Sequence, residues 1–364
     1  MYLSSTPVFL VDPIRALENI RRMAAKARTS GVVFRPHFKT HQSKAIGRWF
    51  REEGVTKITV SSLEMARYFA QDGWNDITIA FPVKPSEIPE LNALARLVRL
   101  GLLVESVGVT GLLLEGIHEP ANLWIKIDTG YRRTGIDSEN PAEASKILLA
   151  VRSSKNLVVR GLLTHAGNTY HARSKPEIKR IFADSIWRLN RLREEIQTDH
   201  PPLLLSVGDT PGCSLAVSFE GVDEVRPGNF VFYDGMQRGL GSCTYNDIAG
   251  VVVCEVVAIH PQRQQVVIHG GSIHFSKEHL HLRGETLFGE MVSLVHEGWS
   301  KPVPGCKLIS LSQEHGILKL SGSMMNKIRI GDLVGIIPVH SCLTANQLPM
   351  LSVSGYHSLD HLNK

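Results

Sequence analysis

The sequence holds no apolar run of about 18 residues or more, so no membrane-spanning helix is expected. It has no basic tail or basic run. Lys and Arg (40) and Asp and Glu (35) are mixed along the 364 residues and leave a formal net charge of +5, which does not indicate nucleic acid. The start, MYLSSTPVFLVDPIRALENI, lacks the basic opening and long apolar core of a secretory signal. Cysteine is scarce: five residues, at 213, 243, 254, 306 and 342, scattered and odd in number. That usage fits a reducing cytoplasm better than a disulfide framework. The expectation is a cytoplasmic protein with neither a membrane nor a nucleic acid as partner.

What is present is a repeat. Hydrophobic residues make up 43% and charged residues 21%, enough for a large core, and the length suits two domains or a barrel with an addition. After an opening helix near Pro13–Lys26, short apolar runs alternate with helical patterns. The runs are Val32–Pro36, Lys57–Val60, Asp76–Ala80, Gly101–Glu105, Leu123–Asp128, Val158–Thr164, Leu203–Val207 and Gly221–Arg226. Helical patterns fall at Ser43–Glu53, Leu63–Gln71, Ile88–Ala95, Pro141–Val151 and Pro176–Ile196. Eight strands alternating with helices predict an α/β fold, a (β/α)8 TIM-type barrel over 12–240, with an open doubly wound sheet as the alternative. Beyond it, GVVVCEVVAIHPQRQQVVIHGG reads as a hairpin, and CKLISLSQEHGILKLSG and GDLVGIIPVHSCLT continue in short strands. Residues 241–364 are therefore expected to form a second, mostly β domain, to which the N-terminal stretch 1–11 (TPVFLV) adds a strand.

Barrels of this kind place chemistry at the C-terminal ends of their strands. The first predicted strand ends in His37-Phe38-Lys39, the second in Ser61-Ser62 and the fifth in IDTGYRRTG. The sixth ends in THAGNTY, the seventh in SVGDTPG and the eighth in RPGNF. A single histidine at a strand end is most often a hydrogen-bonded structural residue; the joint pattern is harder to dismiss. The glycine-containing turns after the seventh and eighth strands can converge backbone N–H groups on a phosphate, although Gly and Pro are also common in ordinary turns. A partly desolvated lysine facing such a site can form a Schiff base with a carbonyl cofactor.

At these residues the chain resembles the fold-type III pyridoxal-phosphate enzymes, in the branch of the D-serine dehydratases and D-threonine aldolases. RPHFKTHQ, IDTGYRRTG, LLTHAGNTY, SVGDTPG, EVRPGNFVFYD, SQEHG and IPVHSCLT carry the resemblance, in order and over nearly the whole chain. It implies that Lys39 carries pyridoxal 5'-phosphate and later serves as a catalytic base. Arg133 would lie near the cofactor's phenolic oxygen, and His165 against its ring. Gly208, Asp209, Thr210, Gly228 and Asn229 would bind the phosphate, with the Asp209 carboxylate turned away from it. Tyr170 would be a ring or substrate contact, and Arg226 would approach the pyridine nitrogen. The resemblance also implies a head-to-tail homodimer.

His340 and Cys342, two apart, would share a face in a strand or extended turn, and imidazole with thiolate suits Zn²⁺. With the resemblance the pair becomes an open, catalytic metal site. Glu314 and His315 are then candidate acid–base groups, while the histidines of HGGSIHFSKEHLHL read as surface or loop. The expected substrate is a small β-hydroxy D-amino acid. The expected reaction is β-elimination to an oxo acid and ammonia, since His-x-Cys resembles the dehydratases and His-x-Asp the aldolases. Three alternatives remain at this point: retro-aldol cleavage to glycine and an aldehyde, racemisation, and a non-catalytic pyridoxal-phosphate-binding role. Gln42, where a lysine is common, and Asn168 depart from the motif.

Overall fold

The computed structural model describes residues 6–196, 202–282, 284–354 and 357–362. The chain divides into two compact units. One comprises Arg21–Lys39 and Gly47–Gly228; the other takes the segment up to Ile20, Thr40–Ile46 and everything from Asn229 onward. Strand β1 (Val8–Val11), apolar and fully buried, belongs to the second unit.

In the first unit, β2 (Val33–Phe34), β3 (Ile58–Val60), β4 (Asp76–Pro82), β5 (Arg99–Val104) and β6 (Ala121–Asp128) are followed by the short β7 (Ile136–Asp137) beside β6. Then come β8 (Leu157–Leu163), β9 (Leu204–Val207) and β10 (Glu224–Val225). They pair in the order β2-β10-β9-β8-β6-β5-β4-β3, every pair parallel. The two ends of this curled sheet meet at a single parallel bridge, His37 to Thr59, with Thr59 N–H donating to Pro36 O at 2.9 Å. All eight strands predicted from the sequence are present, and the open doubly wound sheet is not adopted. Inside, Leu103, Trp124 and Leu163 pack together with Ala80 and Leu204 against them. At Gly161 a β-carbon would stand 1.9 Å from the Leu204 carbonyl oxygen, so only glycine lets β8 and β9 pair this closely.

The helices at Ile88–Ala95 and Pro141–Val151 fall on their predicted bounds. Two others, Val107–Gly116 and Thr210–Leu215, were not anticipated. The first carries three glycines among apolar residues and so shows no polar face; the second contains Pro211-Gly212, which reads as a turn.

In the second unit, β11 (Gly250–His260) pairs antiparallel with β1 and with β12 (Gln265–His269). A separate hairpin, β13 (Leu280–Leu282) and β14 (Glu285–Leu287), precedes β15 (Gly289–Val295), β16 (Gly298–Leu311), β17 (His315–Lys319) and β18 (Leu333–Pro338). The order β12-β17-β16-β15-β18-β11, with β11 returning to β12, closes a small barrel. On its flank β1 pairs parallel with β19 (Met350–Ser352), which pairs with β20 (Ser358–Leu359). Phe9, fully buried, stacks 5.2 Å from Phe232 and covers Gly250, where any side chain would collide with it. No helix among the described residues is long and apolar enough to cross a membrane.

Candidate active site

Lys39 sits in a one-turn 3₁₀ helix, Phe38–Thr40, directly after β2. Phe38 anchors this turn. Its ring is fully buried, 5.0 Å from Phe50, 4.9 Å from Phe69 and 5.1 Å from Trp74. With Phe38 pulled inward, the next side chain turns outward, and Lys39 is exposed, not partly desolvated as the sequence reading had it. The Lys39 N–H faces His37 Nδ1 at 3.4 Å.

His165 follows β8, and its Nδ1 lies 2.5 Å from the Gly208 carbonyl oxygen. A carbonyl only accepts, so Nδ1 carries the ring proton and Nε2 the lone pair. Burial, then the charges of Lys39 and Arg133, holds the pKa of His165 well below the usual value; the ring is neutral at pH 7. Tyr170 packs 6.3 Å from this ring and Tyr131 6.0 Å from it. Arg133 is exposed and stacks its guanidinium over Tyr131 at 5.0 Å. Gly167 is required here because a β-carbon would meet the Tyr131 ring at 2.3 Å.

At the end of β9, Gly208 leaves no room for a side chain: a β-carbon would stand 2.9 Å from the Arg226 carbonyl carbon. Asp209 caps the helix Thr210–Leu215, accepting from Gly212 N–H at 2.5 Å and from the Thr169 hydroxyl at 2.8 Å. Its carboxylate is thus turned into the protein, and burial raises its pKa to about 7. Among the described residues the buried Thr210 hydroxyl has no hydrogen-bond partner. The opposite end of the helix is held by Lys26, whose ammonium donates to the carbonyls of Cys213 (2.9 Å), Ser214 (3.0 Å) and Ala216 (2.8 Å). A small-residue turn with an orphaned buried hydroxyl, a neutral imidazole and an exposed amine are what a phosphorylated aldehyde needs. The residues present fit pyridoxal phosphate.

Several groups here escaped the sequence reading. Residues two apart on a strand share a face, so Lys126 projects on the same side as Trp124 and Asp128. Its ammonium is buried and donates to Ile127 O at 3.0 Å; burial, with Arg226 and Arg133 adding to it, lowers its pKa to about 7. Arg226 is tied down, donating to Thr164 O at 2.6 Å and to the Ser206 hydroxyl. Ser206 donates to Glu224 at 2.6 Å, Glu224 also accepts from Arg35 at 2.6 Å, and Arg35 reaches Asp76 at 2.6 Å. This buried ionic chain spans β4, β2, β10 and β9. In the sequence its members are scattered charges, Arg35, Asp76, Glu224 and Arg226, in or beside short apolar segments far apart along the chain.

In the second unit, His340 and Cys342 meet by a geometry other than the expected one. His340 is the extended N-cap residue (φ −132, ψ 100) of the helix Ser341–Gln347, and Cys342 lies in its first turn. Burial alone would lower the His340 pKa, but its hydrogen bond to Cys342 and the charges of Cys342, Asp234 and Glu278 carry it up to about 9. The imidazole and thiol share a proton that a cation could replace, and N with S is a donor set for Zn²⁺. The residues present fit such a metal. Thr40 Oγ1 lies 3.2 Å from Cys342 Sγ, and Gln42, at φ +48, donates to Asn346 at 2.6 Å. Asn229, expected at the phosphate turn, gives its amide to Asp234 (2.6 Å), Ser341 (3.0 Å) and Cys342 (3.5 Å).

His315 is exposed and is the cross-strand neighbour of His269. Glu314 lies 3.8 Å from His269 and 3.9 Å from His274. Among the described residues, no hydrogen bond, ion pair or ring contact joins His315 to His340 or Cys342. His269, His274 and Glu314 have donor atoms within 4.8 Å of one another. However, His274 Nδ1 accepts the Gly271 N–H at 3.1 Å, so its proton sits on Nε2, the atom that faces Glu314. That histidine is a donor to the carboxylate, and the trio falls short of three ligands.

The titratable groups give a pH dependence. Burial holds His41 at about 3 and His165 well below its usual value. The unfolded chain protonates both near pH 6.5, so it binds more protons than the fold below that pH, and acid destabilises. Asp209 acts oppositely: folded, it keeps its proton to about pH 7. Two histidines against one carboxyl leave stability rising by about 1.4 kcal/mol per pH unit between roughly pH 4 and 6. Urea unfolding midpoints at pH 5 and 6 check this; equal midpoints would refute it.

The alanine racemase N-terminal domain model matches residues 11–235, and the putative serine dehydratase domain model matches residues 249–354. The D-serine dehydratase of Dictyostelium discoideum is 28% identical, over 99% of this chain and 94% of that protein. The D-threo-3-hydroxyaspartate dehydratase of Delftia sp. (strain HT23) is 29% identical, over 94% and 92%. The structure of that Delftia dehydratase superposes with a TM-score of 0.90 at 27% identity, covering 98% of this chain and 97% of that one. A cysteine-to-alanine mutant of it is known in a metal-free form. The D-threonine aldolase of Filomicrobium marinum shares the fold, with a TM-score of 0.82 at 20% identity over 98% and 95%.

Proposed function

From the premise that this chain belongs to the family of the alanine racemase N-terminal domain, we propose that it is a pyridoxal-phosphate- and metal-dependent lyase acting on a β-hydroxy D-amino acid. The reaction is elimination of the β-hydroxyl, giving an oxo acid and ammonia. Two named dehydratases align with this chain nearly end to end, which supports the lyase class. The observation that carries the dehydratase reading over racemisation is the His340–Cys342 pair, which proton transfer at Cα alone does not need.

Lys39, His165, Tyr170, Arg133, Gly208, Asp209, Thr210, Arg226 and Gly228 would hold pyridoxal phosphate, with Asn229 continuing the turn. Bound there, the cofactor would supply an electron sink for charge developing at Cα. His340 and Cys342 would hold Zn²⁺, a Lewis acid for the departing β-oxygen.

The chain's own groups have separable tasks. Lys39 Nζ, exposed on a turn fixed by Phe38, takes the proton from Cα. His165 commits its one proton to Gly208 O and therefore keeps a fixed ring orientation and no charge. Arg226, held by Thr164 and Ser206, keeps a fixed guanidinium inside the barrel. The Asp209 carboxylate, whose Oδ1 accepts from Gly212 N–H and the Thr169 hydroxyl, would leave its backbone and the Thr210 hydroxyl to receive an anion.

The reading is tested by incubating the purified protein with D-serine, D-threonine and D-threo-3-hydroxyaspartate, with and without Zn²⁺. Ammonia and an oxo acid are expected. Glycine with an aldehyde would make it an aldolase, and L-enantiomer without lyase products a racemase. Borohydride reduction should place the cofactor on the peptide bearing Lys39; an adduct on Lys44 would overturn that assignment. We further propose a homodimer, which sedimentation at micromolar concentration would refute by showing only monomer.

A further inference from the structure

We propose that His279 and His281 form an additional binding site for a divalent transition-metal cation of the Zn²⁺, Ni²⁺ or Cu²⁺ class, built from residues other than His340 and Cys342. The two histidines flank Leu280 at the start of β13, and on extended backbone residues two apart project to the same side. Their Nε2 atoms face each other at 3.2 Å. Two nitrogens each 2.0–2.1 Å from a tetrahedral Zn²⁺ stand about 3.3 Å apart, so the pair already has the separation of two ligands.

The other ring nitrogens decide whether those lone pairs are available. His279 Nδ1 lies 3.1 Å from the Lys277 carbonyl oxygen. A carbonyl only accepts, so the His279 proton is on Nδ1 and Nε2 bears the lone pair. His281 Nδ1 lies 3.4 Å from the hydroxyl of Thr286, its cross-strand partner in the β13–β14 hairpin. A hydroxyl can donate or accept. Without a cation, Thr286 donates to His281 Nδ1, and His281 Nε2–H donates to His279 Nε2. With a cation between the rings, the His281 proton moves to Nδ1 and the Thr286 hydroxyl turns to accept it. No proton is gained or lost, and both imidazoles stay neutral. Each ligand histidine then donates its second N–H to an oxygen, the arrangement that orients metal-binding histidines.

The contrast with His269, His274 and Glu314 follows from the same reasoning. There a backbone N–H, which can only donate, occupies His274 Nδ1 and keeps the proton on the nitrogen that would have to bind. Among the described residues no such donor intervenes at His279 or His281. Both rings are exposed, with Phe288 packed 5.8 Å from His279. Two protein ligands leave coordination positions for water or a small anion.

The test is a titration of the full chain with zinc chloride against a chromophoric chelator, comparing His281→Asn with its own parent. Both residues are exposed, so folding should be unaffected, which circular dichroism checks. In the unmutated background and in Cys342→Ala alike, His281→Asn should abolish one bound equivalent. It should weaken that site by more than the roughly 10–100-fold that loss of an outer partner costs. The comparison holds whether or not His340 and Cys342 take a metal. Zinc binding unchanged by His281→Asn, or an equivalent lost in His269→Asn instead, would overturn the proposal.

Discussion

Glu224→Ala is expected to lower stability by about 3–5 kcal/mol, a loss readable as a lower urea midpoint with little change in slope. Glu224 is 4% exposed and accepts from Arg35 on one oxygen and from Ser206 on the other, each at 2.6 Å. Arg35 is as deeply buried, and although burial opposes its charge, Glu224 and Asp76 more than restore it. Arg226, which donates to the same Ser206 hydroxyl, is lowered to about 10 by burial, and Glu224 is the main charge supporting it. Removing this carboxylate leaves Arg35 with Asp76 as its acid and takes from the buried Arg226 the main charge that supports it. An uncompensated buried charge costs more than the original pair ever contributed. Replacing Arg35 by Met together with Glu224 by Leu should therefore recover part of the loss. A Glu224→Ala protein within about 1 kcal/mol of its parent would refute the account, since ordinary surface substitutions already span half of that.

If His340 and Cys342 hold a metal as proposed, Cys342→Ala should remove it and cut lyase turnover by about 10²–10³-fold, the equivalent of several kcal/mol of Lewis-acid stabilisation. Exchange of the Cα proton with solvent should persist, because Lys39 belongs to a different compact unit from the His–Cys pair. The informative measurement is both rates in one preparation, beside its metal content and its cofactor absorbance. Full lyase turnover without metal would show that the β-oxygen leaves by another route. Loss of the cofactor as well would mean that the pair supports the fold.

The strands of the barrel were legible because short apolar runs alternate with helical patterns, and six of the eight end in polar or glycine-containing turns. Each such run is local, and so is the signal. The helix Val107–Gly116 was not, because its apolar and glycine content leaves no 3.6-residue pattern to read. The ionic chain was invisible for another reason: Arg35 and Glu224 are 189 positions apart, and no local pattern announces such a partner. Lys126 was passed over within the run Leu123–Asp128, because only the folded structure shows that its ammonium is buried. For His340 and Cys342 the spacing was informative although its geometry was misread. An extended cap followed by a helical first turn brings two residues together as a strand face would. The exposure of Lys39 is a further case, because it depends on Phe38 being drawn into an aromatic cluster assembled from distant residues.

The helix Thr210–Leu215 is fastened at both ends by the protein itself, by Asp209 at its start and by the Lys26 ammonium on three carbonyls at its finish. Six residues are too few to hold a helix in water, where nucleation is costly. The chain meets that cost during folding. A ligand arriving at the adjoining Gly208–Thr210 turn thus encounters a receptor that is already rigid. The capture rate should therefore track ligand concentration linearly, without the plateau that a slow ordering step imposes. Release, in turn, requires no unwinding of the scaffold. Loss of the Lys26 amine would convert this lock into a hinge and move the ordering step from folding to binding.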